Sequence, residues 1–342
     1  MALALRKQKI LSAVIENYIA FGEPIGSKTL QASTDLNCSS ATIRNELADL
    51  VQEGYLSQPH TSAGRTPTQK GYRYYIDNLM PKVKLPDRMS EYIENVILSG
   101  ANAPETILSK TAHALSSLSD MAAVATSPPS GNARVHRIRF VSTGRHTSMA
   151  VLITSNGMVK SRLFRCDFVL TPELLSMFDK ALNEKFSGVM LSQINQVFLQ
   201  TVAGNMGELT LFIPDVLLAV YEAAKQALLP SVTVCGETNL LFMEDYNLYS
   251  ARNALKFLSD TNAISSLLAQ NSGDTKIFLG EESGRYELSD SSVLTSRYEI
   301  SGEKAGAVAL VGPVRVDYKM LVAQLEFAAA CASKLIGEIL EQ

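Results

Sequence analysis

The stretch Ser39-Ser40-Ala41-Thr42-Ile43-Arg44-Asn45-Glu46-Leu47-Ala48-Asp49-Leu50-Val51-Gln52 decides the reading of the N-terminal fold. Ser39 and Ser40 can each cap a helix, because a serine hydroxyl accepts a hydrogen bond from one of the amides left without a partner at a helix start. Ile43, Leu47 and Leu50 recur at three- and four-residue spacing and define one buried stripe, which runs toward the helix-ending Gly54. At ~100° per residue, Ala41, Asn45, Ala48 and Gln52 fall on the opposite side, flanked by Thr42 and Arg44. That outer face suits a DNA major groove. The alanines permit close approach, Asn45 carries the donor and acceptor that match an adenine edge, and Arg44 can reach guanine or phosphate. Ser39, Ser40 and the helix N-terminus offer further donors to phosphate.

Upstream, Leu3, Ile10, Leu11, Val14, Ile15 and Tyr18 form the apolar stripe of a first helix over residues 3–20, ended by Gly22 and Pro24. A second helix covers Ser27 to Ala32, and Asp35-Leu36-Asn37 reads as a turn. Downstream, Tyr55 to Gln58 is a short strand, and Pro59-His60-Thr61-Ser62-Ala63-Gly64-Arg65 a polar hairpin loop. His60, Thr61, Ser62, Gly64 and Arg65 make an acid-free tip, followed by Lys70 and Arg73, suited to phosphate or minor-groove contact. Thr66-Pro67-Thr68-Gln69 predicts a helix capped by Thr66, with Pro67 at its first position. In it, Tyr72, Tyr74 and Tyr75 read as packing residues, since base stacking would require single strands. Helix, helix, turn, capped helix, strand, loop and return is the order of a winged helix-turn-helix.

Beyond this unit, Pro81 and Pro86 mark a hinge, and residues 88–121 are helical in composition with a break at Gly100 to Pro104. The run Ala125-Thr126-Ser127-Pro128-Pro129-Ser130-Gly131-Asn132 predicts a linker and a domain boundary. Val135–Val141, Ser148–Thr154 and Val159–Phe164 alternate as three strands of a meander, with Asn156-Gly157 favouring a tight turn. Residues 172–229 are mostly helical, strand character returns at Ser231 to Cys235, and further strands precede a closing helix over 318–340. The basic residues Arg134, Arg137, Arg139, Arg145, Lys160, Arg162 and Arg165 occur in a stretch without any acid. Alternation puts Arg137 and Arg139 on one strand face opposite Ile138 and Phe140, which favours a solvated sheet face paired to acids elsewhere over an accessory contact with the DNA backbone or a partner.

Composition narrows the function classes. The 342 residues suggest two or three domains, and 46% hydrophobic content supports real cores. With 31 basic and 34 acidic side chains the chain is not basic throughout, which argues against indiscriminate coating of nucleic acid. Residues 1–80 hold 8 basic and 7 acidic side chains, so the electrostatic attraction to DNA is weak and specificity must rest on one helix face and a wing. Cys38, Cys166, Cys235 and Cys331 are scattered, fitting neither a zinc site nor a disulfide framework. His60, His113, His136 and His146 lack metal-ligand spacing, and no phosphate-cradling or nucleophile motif occurs, so no enzyme, metal or cofactor is expected. No signal peptide or membrane span is expected either, which suits a cytoplasmic protein.

The stretches Pro24-Ile25-Gly26-Ser27-Lys28-Thr29-Leu30, Ser40 to Leu47, Pro59 to Arg65 and Lys70-Gly71-Tyr72-Arg73-Tyr74-Tyr75 resemble the HrcA family of heat-inducible transcription repressors. The resemblance continues through Val135 to Thr143 and Ala309-Leu310-Val311-Gly312-Pro313 with Asp317-Tyr318, and is weakest between about 172 and 235. It implies an α+β multidomain protein: a winged helix-turn-helix over 1–80, a helical linker over 81–130, a GAF-like α/β domain over 131–171 and 236–342, and an inserted, mostly helical dimerisation domain over 172–235. It also implies a homodimer on the CIRCE inverted repeat, a double-stranded operator upstream of chaperone operons, with repression dependent on the chaperonin GroEL and lost on heat shock. Ser27 and Lys28 join the helix and loop residues as expected DNA contacts. A repressor that senses a metabolite in the GAF-like domain is the alternative.

Overall fold

A computed structural model describes residues 3–33, 38–60, 64–99, 103–127, 133–155, 157–207, 209, 212–271, 273, 275–300 and 303–340. Among these are twelve α-helices and three β-sheets, a mixed α+β architecture. The N-terminal part runs α1 (Leu5–Phe21), α2 (Ser27–Ser33), α3 (Ser40–Gln52), β1 (Leu56–Ser57), β2 (Thr66–Pro67) and α4 (Gln69–Asn78). Ile10, Leu11, Val14 and Ile15 of α1 pack with Ile43, Leu47 and Leu50 of α3, all buried as their spacing requires.

The helix after the hairpin starts later than its sequence suggests. Thr66 and Pro67 pair as a strand with Ser57 and Leu56, and the cap is Thr68, whose Oγ1 accepts from the Gly71 amide at 3.1 Å. Thr68 can do this because its own amide donates to the Tyr55 carbonyl and its hydroxyl lies within reach of the Gly54 and Tyr55 carbonyls, which pins it at the base of the hairpin. Pro67 brings no N–H and tolerates the end of a short edge strand.

Two helices follow, α5 (Asp87–Leu98) and α6 (Pro104–Ser119), then β3 (Ala122–Thr126). The next elements are β4 (Val135–Ser142), β5 (Thr147–Thr154), β6 (Val159–Arg165), α7 (Pro172–Phe186), α8 (Gln196–Gly204), α9 (Pro214–Leu228) and β7 (Val232–Cys235). The chain ends with α10 (Leu248–Leu258), α11 (Thr261–Ala269), β8 (Thr275–Leu279), β9 (Ser291–Ile300), β10 (Glu303–Pro313) and α12 (Tyr318–Leu340). A five-stranded antiparallel sheet has the order β7-β3-β10-β9-β8. α5, α6 and α12 share the core on one face, and α10 and α11 on the other. Covered on both sides, the central strands β3 and β10 carry continuous apolar runs, Ala-Ala-Val-Ala and Ala-Val-Ala-Leu-Val.

The sheets divide the chain differently from the sequence reading. β3 is the second strand of the large sheet, so the expected linker over 81–130 ends inside the core. β4, β5 and β6 pair only with one another among the described residues, so the meander over 131–171 does not join the strands beyond 236. Their inner face shares a separate core with α7 and α9, through Ile138, Phe140, Leu152, Phe178, Leu182 and Val220. β7, expected in the helical insertion, pairs instead with β3. The inserted segment has adjacent stems: the Ser127 amide donates to the Ser231 carbonyl at 2.9 Å, and the Ser231 amide to Ser127 Oγ at 2.8 Å.

The edge of β4 is closed by α7. Asn183 accepts from the Ile138 amide and donates to its carbonyl, and Asp179 accepts from the Phe140 amide at 2.9 Å. Asp179 also holds Arg139 at 3.0 Å, while Glu222 of α9 holds Arg162 at 2.6 Å, so part of the basic stripe is paired to acids as expected. α12 is long and apolar enough by length and composition to cross a membrane. Its Leu321, Leu325, Ala328, Ala332 and Ile336 are buried in the core shared with β9 and α6, and Lys319, Glu326, Lys334 and Glu338 interrupt it.

Candidate nucleic-acid interface

The site is built on α3. Ser39, in extended backbone at φ −69° and ψ 155°, caps the helix by accepting from the Thr42 amide at 3.2 Å, and its hydroxyl lies 3.0 Å from Thr42 Oγ1. Ser40 is used differently: its hydroxyl lies 3.1 Å from that of Ser27, which ties the start of α2 to the start of α3. Lys28 follows on the exposed side of α2. With Ile43, Leu47 and Leu50 fixed inward, Ala41, Arg44, Asn45 and Ala48 are exposed along the opposite face, and Thr42 is half-buried.

The charges of α3 are sorted by side. Glu46, Asp49 and Glu53 recur at three- and four-residue spacing and meet the base-bearing start of α1. Lys7 Nζ lies 2.6 Å from Glu53 and 3.1 Å from Asp49, and Arg6 reaches Glu46 at 3.7 Å. Hydrogen bonds donated to Glu53 and then Asp49 hold the Lys7 ammonium above its ordinary pKa. Lys70 closes the C-terminal end, donating to the Glu53 carbonyl at 2.7 Å with its ammonium over the Tyr55 ring. A head with nearly equal numbers of acids and bases thus presents Arg44 on a face whose neighbouring acids are already paired. The spacing of those three acids was the signal in the sequence that their pairing would turn them away from a ligand.

The loop residues divide. His60 is exposed. Thr61 and Ser62 lie outside the described residues. Gly64 and Arg65 sit at the base of the hairpin rather than at its tip. Arg65 exchanges both backbone hydrogen bonds with Ile25, at 2.8 and 3.1 Å, which adds Ile25 as a third strand position beside β2. Nothing local marks Ile25 as a pairing residue, because its partner lies 40 residues away.

Arg73, expected near the ligand, is turned elsewhere. It points from α4 to the body, where it pairs with Glu282 and donates to the Ile277 carbonyl at 2.7 Å. Burial opposes its charge, but Glu282 and then Asp77 more than offset this and keep its pKa raised. Tyr72 and Tyr75 are buried, as their helical spacing implies, and the Tyr72 ring meets that of Tyr318 edge-on at 5.9 Å between centroids. Burial pushes both phenols upward, and Glu16 adds to the shift at Tyr75.

A family model described as the HrcA protein C terminal domain matches residues 105–322. The chain belongs to the HrcA family. A heat-inducible transcription repressor HrcA of Acetivibrio thermocellus is 33% identical over 331 residues, covering 96% of this chain and 94% of the relative. The HrcA of Moorella thermoacetica is 32% identical over 350 residues, covering 100% and 99%. A crystal structure of a hypothetical protein superposes with a TM-score of 0.69 at 22% identity, covering 99% of this chain and 100% of that one, a likeness of fold. The HrcA match over 105–322 spans β3, the inserted segment and β7 to β10 as one continuous region.

Proposed function

We propose that this chain is a sequence-specific repressor of heat-shock chaperone operons of the groESL and dnaK type. As a homodimer it binds the CIRCE inverted repeat, each protomer placing α3 in one major groove and the β1–β2 hairpin beside it. The observation that carries the reading is the outer face of α3, where Ala41, Arg44, Asn45 and Ala48 are exposed and the flanking acids are paired to α1. Ser39, Ser40, Thr42, Ser27, Lys28, His60, Thr61, Ser62, Gly64 and Arg65 complete the proposed contact set, Gly64 by shaping the hairpin base.

In this reading residues 3–80 are a winged helix-turn-helix head, the five-stranded sheet with its helices is a GAF-like body, and the segment between Ser127 and Ser231 is the dimerisation unit. Support for pairing comes from the outer face of β4-β5-β6, which no other element covers among the described residues. Val141, Val159 and Leu163 are exposed there beside half-buried Met149, Val151 and Ile153. Arg137 and Arg139 share this face, whose apolar row of Val141, Met149 and Leu163 forms, with its neighbours Ile153 and Val159, the kind of patch that marks an interface. A two-fold dimer matches an inverted repeat because both share the same symmetry. The repressor acts in the cytoplasm, needs no cofactor, and depends on the chaperonin GroEL until heat shock withdraws it. The metabolite-sensing alternative is disfavoured by the filled space under the helix-covered sheet face, where Phe278, Val293, Ala307 and Ala309 share a buried core with Phe257, Ile264 and Leu267.

The test is a gel shift of the full chain on the inverted repeat and on a scrambled duplex, at two salt concentrations, with and without chaperonin. Selective binding that survives higher salt and strengthens with chaperonin is expected. Equal binding to both duplexes would overturn the reading.

A further inference from the structure

Besides the shared core and the Tyr72–Tyr318 ring contact, two arginines hold the head on the body. Arg315 follows β10 and makes a two-pronged contact with Asp245 of the body, Nε to Oδ1 at 2.8 Å and Nη2 to Oδ2 at 2.6 Å. Its remaining nitrogen, Nη1, donates to the Ile19 carbonyl at 3.2 Å and lies 3.5 Å from that of Tyr18, at the C-terminus of α1. The guanidinium also stands over the Tyr18 ring, 5.9 Å from its centroid. A cation here gives the Ile19 carbonyl a donor and meets the negative end of the helix dipole, while the Tyr18 carbonyl already accepts from the Gly22 amide at 2.9 Å. Gly22 makes room: at φ 73° it ends α1, and a Cβ there would lie 3.0 Å from the guanidinium carbon. The second attachment joins α4 to the edge strand β8, at the same end of the sheet, through Arg73 with Glu282 and Gln69 with the Leu279 carbonyl.

Attachment through two helices to two segments of the body resists rotation of the head in a way that a single linker cannot. The orientation passes to the reading helix, because α1 grips α3 through the Lys7 and Arg6 ion pairs and the shared apolar stripe. We infer that Arg315 is a positioning residue for operator binding. Paired with Asp245, it fixes the angle of α3 relative to the body, and so sets the separation of the two reading helices in the dimer and the half-site spacing the protein accepts. The inference rests on the proposed dimeric DNA reading and deepens it.

The experiment measures the affinity of the full chain for three duplexes: the inverted repeat, the same repeat with its spacer lengthened by one or two base pairs, and a single half-site. Wild type should favour the original spacing. In Arg315→Ala the original repeat should lose about tenfold in affinity, half-site binding should stay within about twofold, and the preference between spacings should flatten. Asp245→Asn, which leaves the arginine cap on α1, should flatten the preference as well, and serves if Arg315→Ala fails to fold. Unchanged spacing preference in both variants, or an equal loss on the half-site and the full repeat, would overturn the inference. Wild type that binds a scrambled duplex as well as the repeat would instead overturn the DNA reading on which it stands.

Discussion

Gly64 lies so close to Ile25 that a Cβ on it would stand 2.5 Å from the carbonyl carbons of Ile25 and Pro24. No real side chain tolerates that distance, and the atoms it would meet are backbone, which cannot swing aside. The glycine is needed so that Arg65, next to it, can exchange its two hydrogen bonds with Ile25. Gly64→Ala should therefore destabilise the head by roughly 1–3 kcal/mol, the usual cost of overpacking a tight site. Gly337 provides a control of opposite sign, because it lies inside α12 and a methyl group there would meet nothing within 4 Å. Gly337→Ala should stabilise by roughly 0.5–1 kcal/mol. Urea unfolding of both variants measures the pair, and equal effects would show that the close approach to Ile25 carries no strain.

The exposed Arg44 and Asn45 predict a split between specific and non-specific binding. If either reads a base edge, its replacement by alanine should cost roughly 1–3 kcal/mol on the operator and much less on random DNA. Equal losses on the two duplexes would make that residue a phosphate contact. Ser40→Ala should act differently: it removes the hydroxyl partner of Ser27 and loosens α2 against α3, so it should weaken binding to both duplexes together with stability.

The head is legible in the sequence because its decisive signals are local. The Ser39 cap, the Ile43-Leu47-Leu50 stripe and the glycine after the helix all lie within sixteen residues, and each acts on its neighbours. The displaced helix start at Thr68 shows the limit of such signals: Thr66, with Pro67 and Gln69 after it, has the better local capping pattern, and only its pairing with Ser57 moves the cap to Thr68. The body is less legible for a physical reason. A strand buried on both faces has no polar alternation, so Ala122 to Thr126 looks like the end of a helix until it is seen beside Ala307 to Val311, some 185 residues on. The β4-β5-β6 meander is visible as strands, within one residue at most ends. Alternation cannot say which sheet a strand joins, and so it hides that the meander builds a core of its own. Arg315 leaves no local trace, since its role depends on a helix end nearly 300 residues away.

Burial pushes the Cys166 thiol from its ordinary 9.0 up to about 11, with smaller contributions from the Asp215 and Asp167 carboxylates. The folded state then binds the thiol proton more tightly than the unfolded state. Stability from this group is complete below pH 9 and is lost as pH rises toward 11. Two units correspond to roughly 3 kcal/mol at 1.4 kcal/mol per unit. Urea unfolding at about pH 8 and about pH 10.5, either side of the unfolded thiol's titration, should show a smaller alkaline loss for Cys166→Ala than for wild type, even if the variant is less stable at both. Parallel losses in the two proteins would mean that the thiol titrates normally in the fold.

Leu163 tests where the protomers meet. It is 62% exposed on the outer face of β6, directly across from Met149, in the row that begins with Val141. On an isolated protomer a charge at such a surface position costs little, within about 0.5 kcal/mol. In a paired face the same charge would be desolvated without a partner, which is costly. Leu163→Glu should therefore shift the protein from dimer to monomer in sedimentation equilibrium, while its unfolding transition stays near that of a wild-type protomer. Affinity for the inverted repeat should fall with it, because one head alone gains only half of the contacts. Phe242, 83% exposed on the body, supplies the comparison: Phe242→Glu should leave the dimer intact. If Leu163→Glu remains dimeric at micromolar concentration, the sheet face is not the interface. If Phe242→Glu dissociates instead, pairing runs through the body, and the separation of the two reading helices is set by the five-stranded sheet rather than by the inserted segment.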